Sequence, residues 1–131
     1  TDVALATTSA DLVFSLCGSF AQTPTEKMRI KNNGGLISRR NTVAAADGQT
    51  IQASETGSVF FCAMSGNITL TLPPVSAGLQ YVVVRTSASN VLTIDADAGD
   101  DINGASSYIV PTTAYESATI VCDGNEWVVL G

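Results

Sequence analysis

Along residues 46–131, apolar side chains fall at every second position in short runs, and each run ends at a turn signal. In Ile68-Thr69-Leu70-Thr71-Leu72, apolar and hydroxylated residues alternate, the period-2 pattern of a strand with one buried face. Pro73-Pro74 stops that strand, because proline has no N–H to give to a ladder. Residues 81–84, Tyr-Val-Val-Val, are continuously apolar and predict a strand covered on both faces. Further strands are predicted over residues 50–53, 58–63, 91–94, 108–110, 117–122 and 126–130, with Val59, Phe61 and Ala63 sharing a face. The pair Phe60-Phe61 reads as core rather than as a ligand platform. Asp123-Gly124-Asn125 predicts a tight hairpin, since Asp-Gly supplies the positive φ of a primed turn. About eight short strands at roughly 8–12-residue spacing, with no 3.6-residue periodicity, predict an all-β fold. The architecture expected is an antiparallel β-sandwich or jelly-roll-like domain.

Residues 1–45 read differently, as an N-terminal arm and hairpin ahead of the domain at 46–131. Residues 11–20 fit either a strand or a short helix. In the next run Lys27, Arg29 and Lys31 alternate with Met28 and Ile30. Asn32-Asn33-Gly34-Gly35 follows, then Leu36-Ile37-Ser38-Arg39-Arg40, which together predict a hairpin with a loop of about four residues. Two strands alone are marginal in water, so this hairpin must pack on something.

Charge sharpens that picture. Only 14% of the residues are charged, below the roughly 25% of ordinary soluble proteins, so much of the surface is uncharged or is covered by partners. Five of the six basic residues lie at Lys27, Arg29, Lys31, Arg39 and Arg40, whereas residues 41–131 carry nine acids against Arg85 alone. A basic band on an acidic chain is a candidate docking surface. The docking set is Lys27, Met28, Arg29, Ile30, Lys31, Leu36, Ile37, Arg39 and Arg40, with the cations facing a partner and the apolar residues buried. A nucleic-acid role is not expected: residues 27–40 hold no aromatic side chain for stacking, and the acidic domain repels phosphates.

Chemistry is sparse. The chain has no histidine, which removes Ser-His-Asp and Cys-His catalysis and histidine metal sites. Cys17, Cys62 and Cys122 are odd in number, widely spaced and apolar in setting, so they read as buried thiols; a Cys62–Cys122 pairing stays open. There is no Cys-x-x-Cys pair and no phosphate-binding glycine loop. Asp95, Asp97, Asp100 and Asp101 can converge on calcium, but they lack the closing Glu of a full loop, and a solvated turn is the plainer reading. A glycosidase pair at Asp95 and Asp101 needs a larger groove than so short a chain supplies. No enzyme activity, no cofactor and no metal are expected. No apolar stretch approaches the roughly 20 residues of a membrane span, and no basic segment precedes the apolar residues 12–17, so neither a membrane nor a secretory signal is expected.

Residues 66–131 resemble a β module of tailed-bacteriophage virion proteins. The resemblance is carried by Gly66-Asn67-Ile68-Thr69-Leu70-Thr71-Leu72-Pro73, Gly78 with Tyr81-Val82-Val83-Val84, and Val91-Leu92-Thr93-Ile94-Asp95. It continues through Asp101-Ile102-Asn103-Gly104, Tyr108, Glu116-Ser117-Ala118-Thr119-Ile120-Val121 and Asp123-Gly124-Asn125-Glu126-Trp127-Val128-Val129-Leu130. Such modules occur in capsid-decorating proteins and in head and tail fibres. The resemblance implies a homotrimer on the outer capsid surface of a virion, made in the cytoplasm of a host bacterium, with the major capsid protein as partner. The function expected is capsid decoration (a cement protein). The alternative is a fibre domain binding a host glycan on exposed Tyr81, Tyr108, Tyr115 or Trp127. In either case Ile102 should anchor its turn in the core with Gly104 at positive φ, and Trp127 should plug the core or a subunit seam.

Overall fold

The computed structural model describes residues 2–5, 12–16, 25–31, 36–38 and 40–130. The chain divides into two compact units, Thr1–Arg39 and Arg40–Gly131. In the first, β1 (Asp2–Leu5), β2 (Leu12–Leu16), β3 (Thr25–Ile30) and β4 (Leu36–Ser38) form a sheet in chain order. All three of its pairings are antiparallel. Residues 12–16 are thus strand, not helix, and the register shifts between Phe14 and Ser15.

The second unit begins sooner than the alternation implies. The strand β5 (Thr42–Ala45) pairs within its sheet, so the unit boundary falls at Arg39/Arg40 instead of near residue 45. Next come β6 (Gln49–Thr50) and a 3-10 turn at Ala53–Glu55 where the expected strand 50–53 would have ended. The remaining strands are β7 (Val59–Cys62), β8 (Ile68–Thr71), β9 (Gln80–Arg85), β10 (Leu92–Asp95), β11 (Ser107–Ile109), β12 (Ser117–Cys122) and β13 (Trp127–Leu130).

Two sheets share these strands, in the orders β13-β12-β9-β7-β5 and β11-β10-β8-β6. From β5 to β10 the chain passes from one sheet to the other at every step. Each return to a sheet is therefore parallel to the previous visit: β5 with β7, β7 with β9, β6 with β8, β8 with β10. This is the winding of a short solenoid, closed by antiparallel strands β11, β12 and β13. The fold is an all-β sandwich, but the expectation of an antiparallel one is corrected to mixed pairing. Each parallel return has the opposite sheet's strand in its crossover, long enough to reverse the chain.

The core lies between the sheets. Phe60, Tyr81, Val83, Ile120 and Trp127 from one sheet meet Ile68, Leu70, Leu92 and Ile94 from the other. Phe60 packs edge-on to Tyr81, and Tyr81 lies 5.7 Å from the Trp127 ring. Coil corners are fastened by side chains. Asn90 Nδ2 donates to the Met64 carbonyl at 2.7 Å, and Asn67 Oδ1 accepts from Val91 N at 2.9 Å. The turn at residues 101–104 behaves as expected: Ile102 is buried, Gly104 has φ +75°, and Asn103 Oδ1 accepts from Val129 N. At residues 123–126 the turn differs from the primed two-residue type. Gly124 has positive φ, but Asn125 does not, and Asp123 Oδ1 instead accepts the N–H groups of Asn125 and Glu126.

Candidate docking surfaces

The basic docking set is split by the fold. Met28, Arg29 and Ile30 lie on β3, whose partners across the hairpin are Ser38, Ile37 and Leu36 of β4. The other neighbour, β2, sets Phe14 against Met28 and Val13 against Arg29. Lys27 also lies on β3, and Lys31 follows it and is exposed. Met28 and Arg29 are both half-buried, while Ile30 is exposed, so the expected burial of Ile30 is corrected. At the end of a short strand, Ile30 has little sheet beyond it to cover it. Arg39, the loop 32–35 and Cys17 lie outside the described residues. Arg40 is exposed and starts the second unit, so it belongs to a different body from Lys27, Arg29 and Lys31.

The acids of the second unit serve the backbone. Asp47 Oδ1 accepts from Thr69 N at 2.8 Å, Asp100 Oδ2 from Val75 N at 2.9 Å, and Glu126 Oε2 from Gly104 N at 3.1 Å. Glu55 accepts from Gln52 N. With Asp123, five of the nine acids are engaged this way. Backbone N–H groups hold the Asp123 carboxyl below the usual carboxylate range. Among the described residues no three acid or cysteine side chains come together in a metal-holding group, so Asp95, Asp97, Asp100 and Asp101 do not converge.

The rings named for a glycan platform are divided between core and surface. Tyr81 and Trp127 are in the core, and Tyr81 Oη donates to the Gln52 carbonyl at 3.1 Å. Burial foremost, then Glu55 and Cys122, raises the Tyr81 phenol. Tyr108 is half-buried, and Tyr115 is 77% exposed. A recess of about 30 Å³ lined by Arg40, Ser58, Gln80, Val82 and Thr119 has room for about one water, far short of a ligand pocket.

Two features escaped the sequence reading. One is Arg85, fully buried, which the charge pattern counts merely as the lone cation of its region. All five of its N–H groups donate to backbone carbonyls. Nε reaches Ser87 at 2.8 Å, Nη1 reaches Val110 at 3.3 Å and Pro111 at 3.0 Å, and Nη2 reaches Ser89 at 3.0 Å and Asn90 at 2.8 Å. Its ladder neighbour Cys62 is a buried free thiol pushed up to about 11 by burial, with Arg85 pulling the other way. Cys122 is likewise free and buried, so no Cys62–Cys122 bond forms.

The other is the outer face of the five-stranded sheet. Residues 81–84 are covered on one face only: Tyr81 and Val83 point into the core, while Val82 and Val84 are half-exposed outside. One outward row crosses all five strands as Thr42, Val59, Val82, Thr119 and Leu130. A second runs Ala44, Phe61, Val84 and Ser117, and a third Gln80, Val121 and Val128. None of these twelve positions is charged. Phe61 is 42% exposed and Leu130 53%, so Phe61 is not the core residue its sequence setting implies. The available signal was the parity of Phe61 with Val59, opposite to the buried Phe60 and Cys62.

No protein-family model matches the chain, and no curated protein matches it in sequence. No helix among the described residues is long and apolar enough to cross a membrane.

Proposed function

We propose that this chain is a non-enzymatic structural protein of a tailed-phage virion, a capsid decoration protein that binds the major capsid protein on the outer shell. The resemblance over residues 66–131 supplies the biological setting. One structural observation supports adhesion over reaction: five of the second unit's nine acids, and its buried Arg85, are bonded to the fold's own backbone. The first unit offers Lys27, Arg29 and Lys31 on or beside a β3–β4 hairpin, a cationic strand suited to an acidic shell. A protein that binds only assembled shells stabilises them by RT ln(1 + [L]/Kd) per site.

The test is addition of the purified full-length chain to shells stripped of it, followed by sedimentation and thermal disruption of the shells. The expected result is saturable binding and a raised disruption temperature, both lost in the triple variant Lys27→Glu, Arg29→Glu, Lys31→Glu. If the intact chain leaves stripped shells unbound, the decoration reading fails. If the triple variant binds as well as the parent, the hairpin is not the docking element.

A further inference from the structure

We infer that the recess beside Arg40 is a seat for one carboxylate, the end of an Asp or Glu side chain carried on a partner protein. The inference does not rest on the virion reading, since it concerns donors that the second unit holds by itself.

Charge points there first. The second unit, Arg40–Gly131, carries nine acids and two cations, Arg40 and Arg85. Arg85 is fully buried and spent on backbone carbonyls, so Arg40 is the unit's one exposed cation. Among the described residues none accepts from its guanidinium, and no acid lines the recess. An unpaired guanidinium presents five N–H donors in a planar fork, a shape that grips both oxygens of a carboxylate.

The other walls donate as well. Gln80 and Thr119 stand on the outward side of the five-stranded sheet, Thr119 directly across from Val82. Ser58 is 2% exposed, and its hydroxyl accepts from Asn41 Nδ2 at 3.2 Å, which leaves its own O–H to give. The backbone here has nothing to offer: Gly57 N already donates to the Gln80 carbonyl at 2.7 Å, and Val82 N to the Ser58 carbonyl at 3.1 Å. Side chains alone therefore serve the guest, and they bring a guanidinium, an amide and two hydroxyls against no carboxylate.

Size narrows the guest further. A volume of about 30 Å³ admits about one water-sized atom. A sugar ring or a phosphate does not enter, whereas one carboxylate oxygen does, with the second held at the mouth by Arg40. Val82 and its ladder partner Val59 flank the recess as half-exposed apolar residues. An acid with apolar neighbours on either side covers them as it binds, which a free small carboxylate cannot do. An exposed ion pair contributes little by itself, so a single such acid binds with a dissociation constant on the order of millimolar.

The test is a titration of the full-length, nitrogen-15-labelled chain, followed by NMR at constant ionic strength with chloride as the balancing anion. The probes are the end-blocked tripeptide Val-Glu-Val, its neutral counterpart Val-Gln-Val, and acetate. Val-Glu-Val should give saturable shifts at Arg40 Nε and at the backbone amides of Ser58, Val82 and Thr119, and should bind more tightly than acetate. Arg40→Gln should weaken binding roughly tenfold or more. The triple variant Lys27→Glu, Arg29→Glu, Lys31→Glu should leave it unchanged, which separates this seat from the hairpin of the first unit. Arg40 is exposed, and the dispersion of the same spectra shows that the Arg40→Gln sheets persist. Four outcomes overturn the inference: no saturable shift, equal shifts with Val-Gln-Val, acetate binding as tightly as Val-Glu-Val, or Arg40→Gln binding as well as the parent.

Discussion

Arg85 offers the sharpest test of how this fold is held. Replacing it with Met keeps an unbranched apolar stem as far as the Nε position and removes all five donors. The acceptors are backbone carbonyls and remain where they are, so the substitution cannot be compensated as it can when both members of an ion pair are replaced. A buried acceptor left unpaired costs about 1–3 kcal/mol. The bond to Val110 is the one wholly enclosed, and the other four are partly buried, so their carbonyls can turn toward water at lower cost. The expected loss is about 4 kcal/mol, within the range for breaking a buried charged contact. For a domain holding about 5–15 kcal/mol in all, that leaves a marginal fold.

Urea unfolding followed by the fluorescence of Trp127, the single tryptophan and a core residue, measures it directly. The midpoint should fall with the slope unchanged. A melting shift of about 15–30 °C is the thermal equivalent. Arg85→Lys supplies three donors to five acceptors and should lose about half as much. If Met costs less than about 1 kcal/mol, or Lys costs as much as Met, then the carbonyl cage is not what holds the 86–91 and 110–111 loops.

Gly124→Ala should destabilise by about 1–2 kcal/mol in the same assay, because φ is +105° and the new Cβ meets Ala77 Cβ at 3.2 Å; Gly66→Ala, with neither problem, should be near neutral. The Cys62 thiol is held neutral in the fold, so its contribution is complete below the unfolded value of 9.0 and disappears as pH rises through about 11; thiol-reagent uptake at Cys62 at pH 8 should track global unfolding. Asp123 is shifted the other way, so its contribution is present above the unfolded value of 3.8 and is lost as pH falls through the lower folded one. Stability of Asp123→Asn should accordingly vary less with pH on the acid side than that of the parent. Trp127→Ala should cost about 3–5 kcal/mol, whereas Trp127→Phe should cost less than about 1.5, because it also removes an indole N–H that has no acceptor within reach. Circular dichroism reads both variants.

Strand existence was legible wherever one side of a strand meets the core and the other does not. Ile68-Thr69-Leu70-Thr71 alternates in sequence and in burial alike, and residues 117–122 form the strand expected of them. Strand direction was not legible, because period-2 patterning is the same in parallel and antiparallel ladders. Only the crossover through the second sheet reveals it, and that is a property of three-dimensional winding. The solenoid also leaves no visible repeat, since its coils differ in length: 13 residues separate β5 from β7 and 17 separate β7 from β9, and the intervening strands differ too, β6 being two residues long and β8 four. Of the docking set, the hairpin pairing of residues 28–30 with 36–38 was readable from alternation and the glycine loop. The membership of Arg40 in another unit was not, since nothing in Ser-Arg-Arg-Asn marks a boundary.

The most informative mismatch is at residues 81–84. Composition calls for two covered faces, and the fold covers one. Local sequence reports the total burial a strand is built for, whether its own chain or another supplies the cover. Val82 and Val84 therefore belong with Phe61 and Leu130, side chains whose sequence setting promises an interior that the second unit does not provide on this side. Acids tied into turns and an arginine locked by carbonyls make the scaffold stiff without spending its outer sheet face. A face backed by so fixed a scaffold loses little conformational entropy on contact.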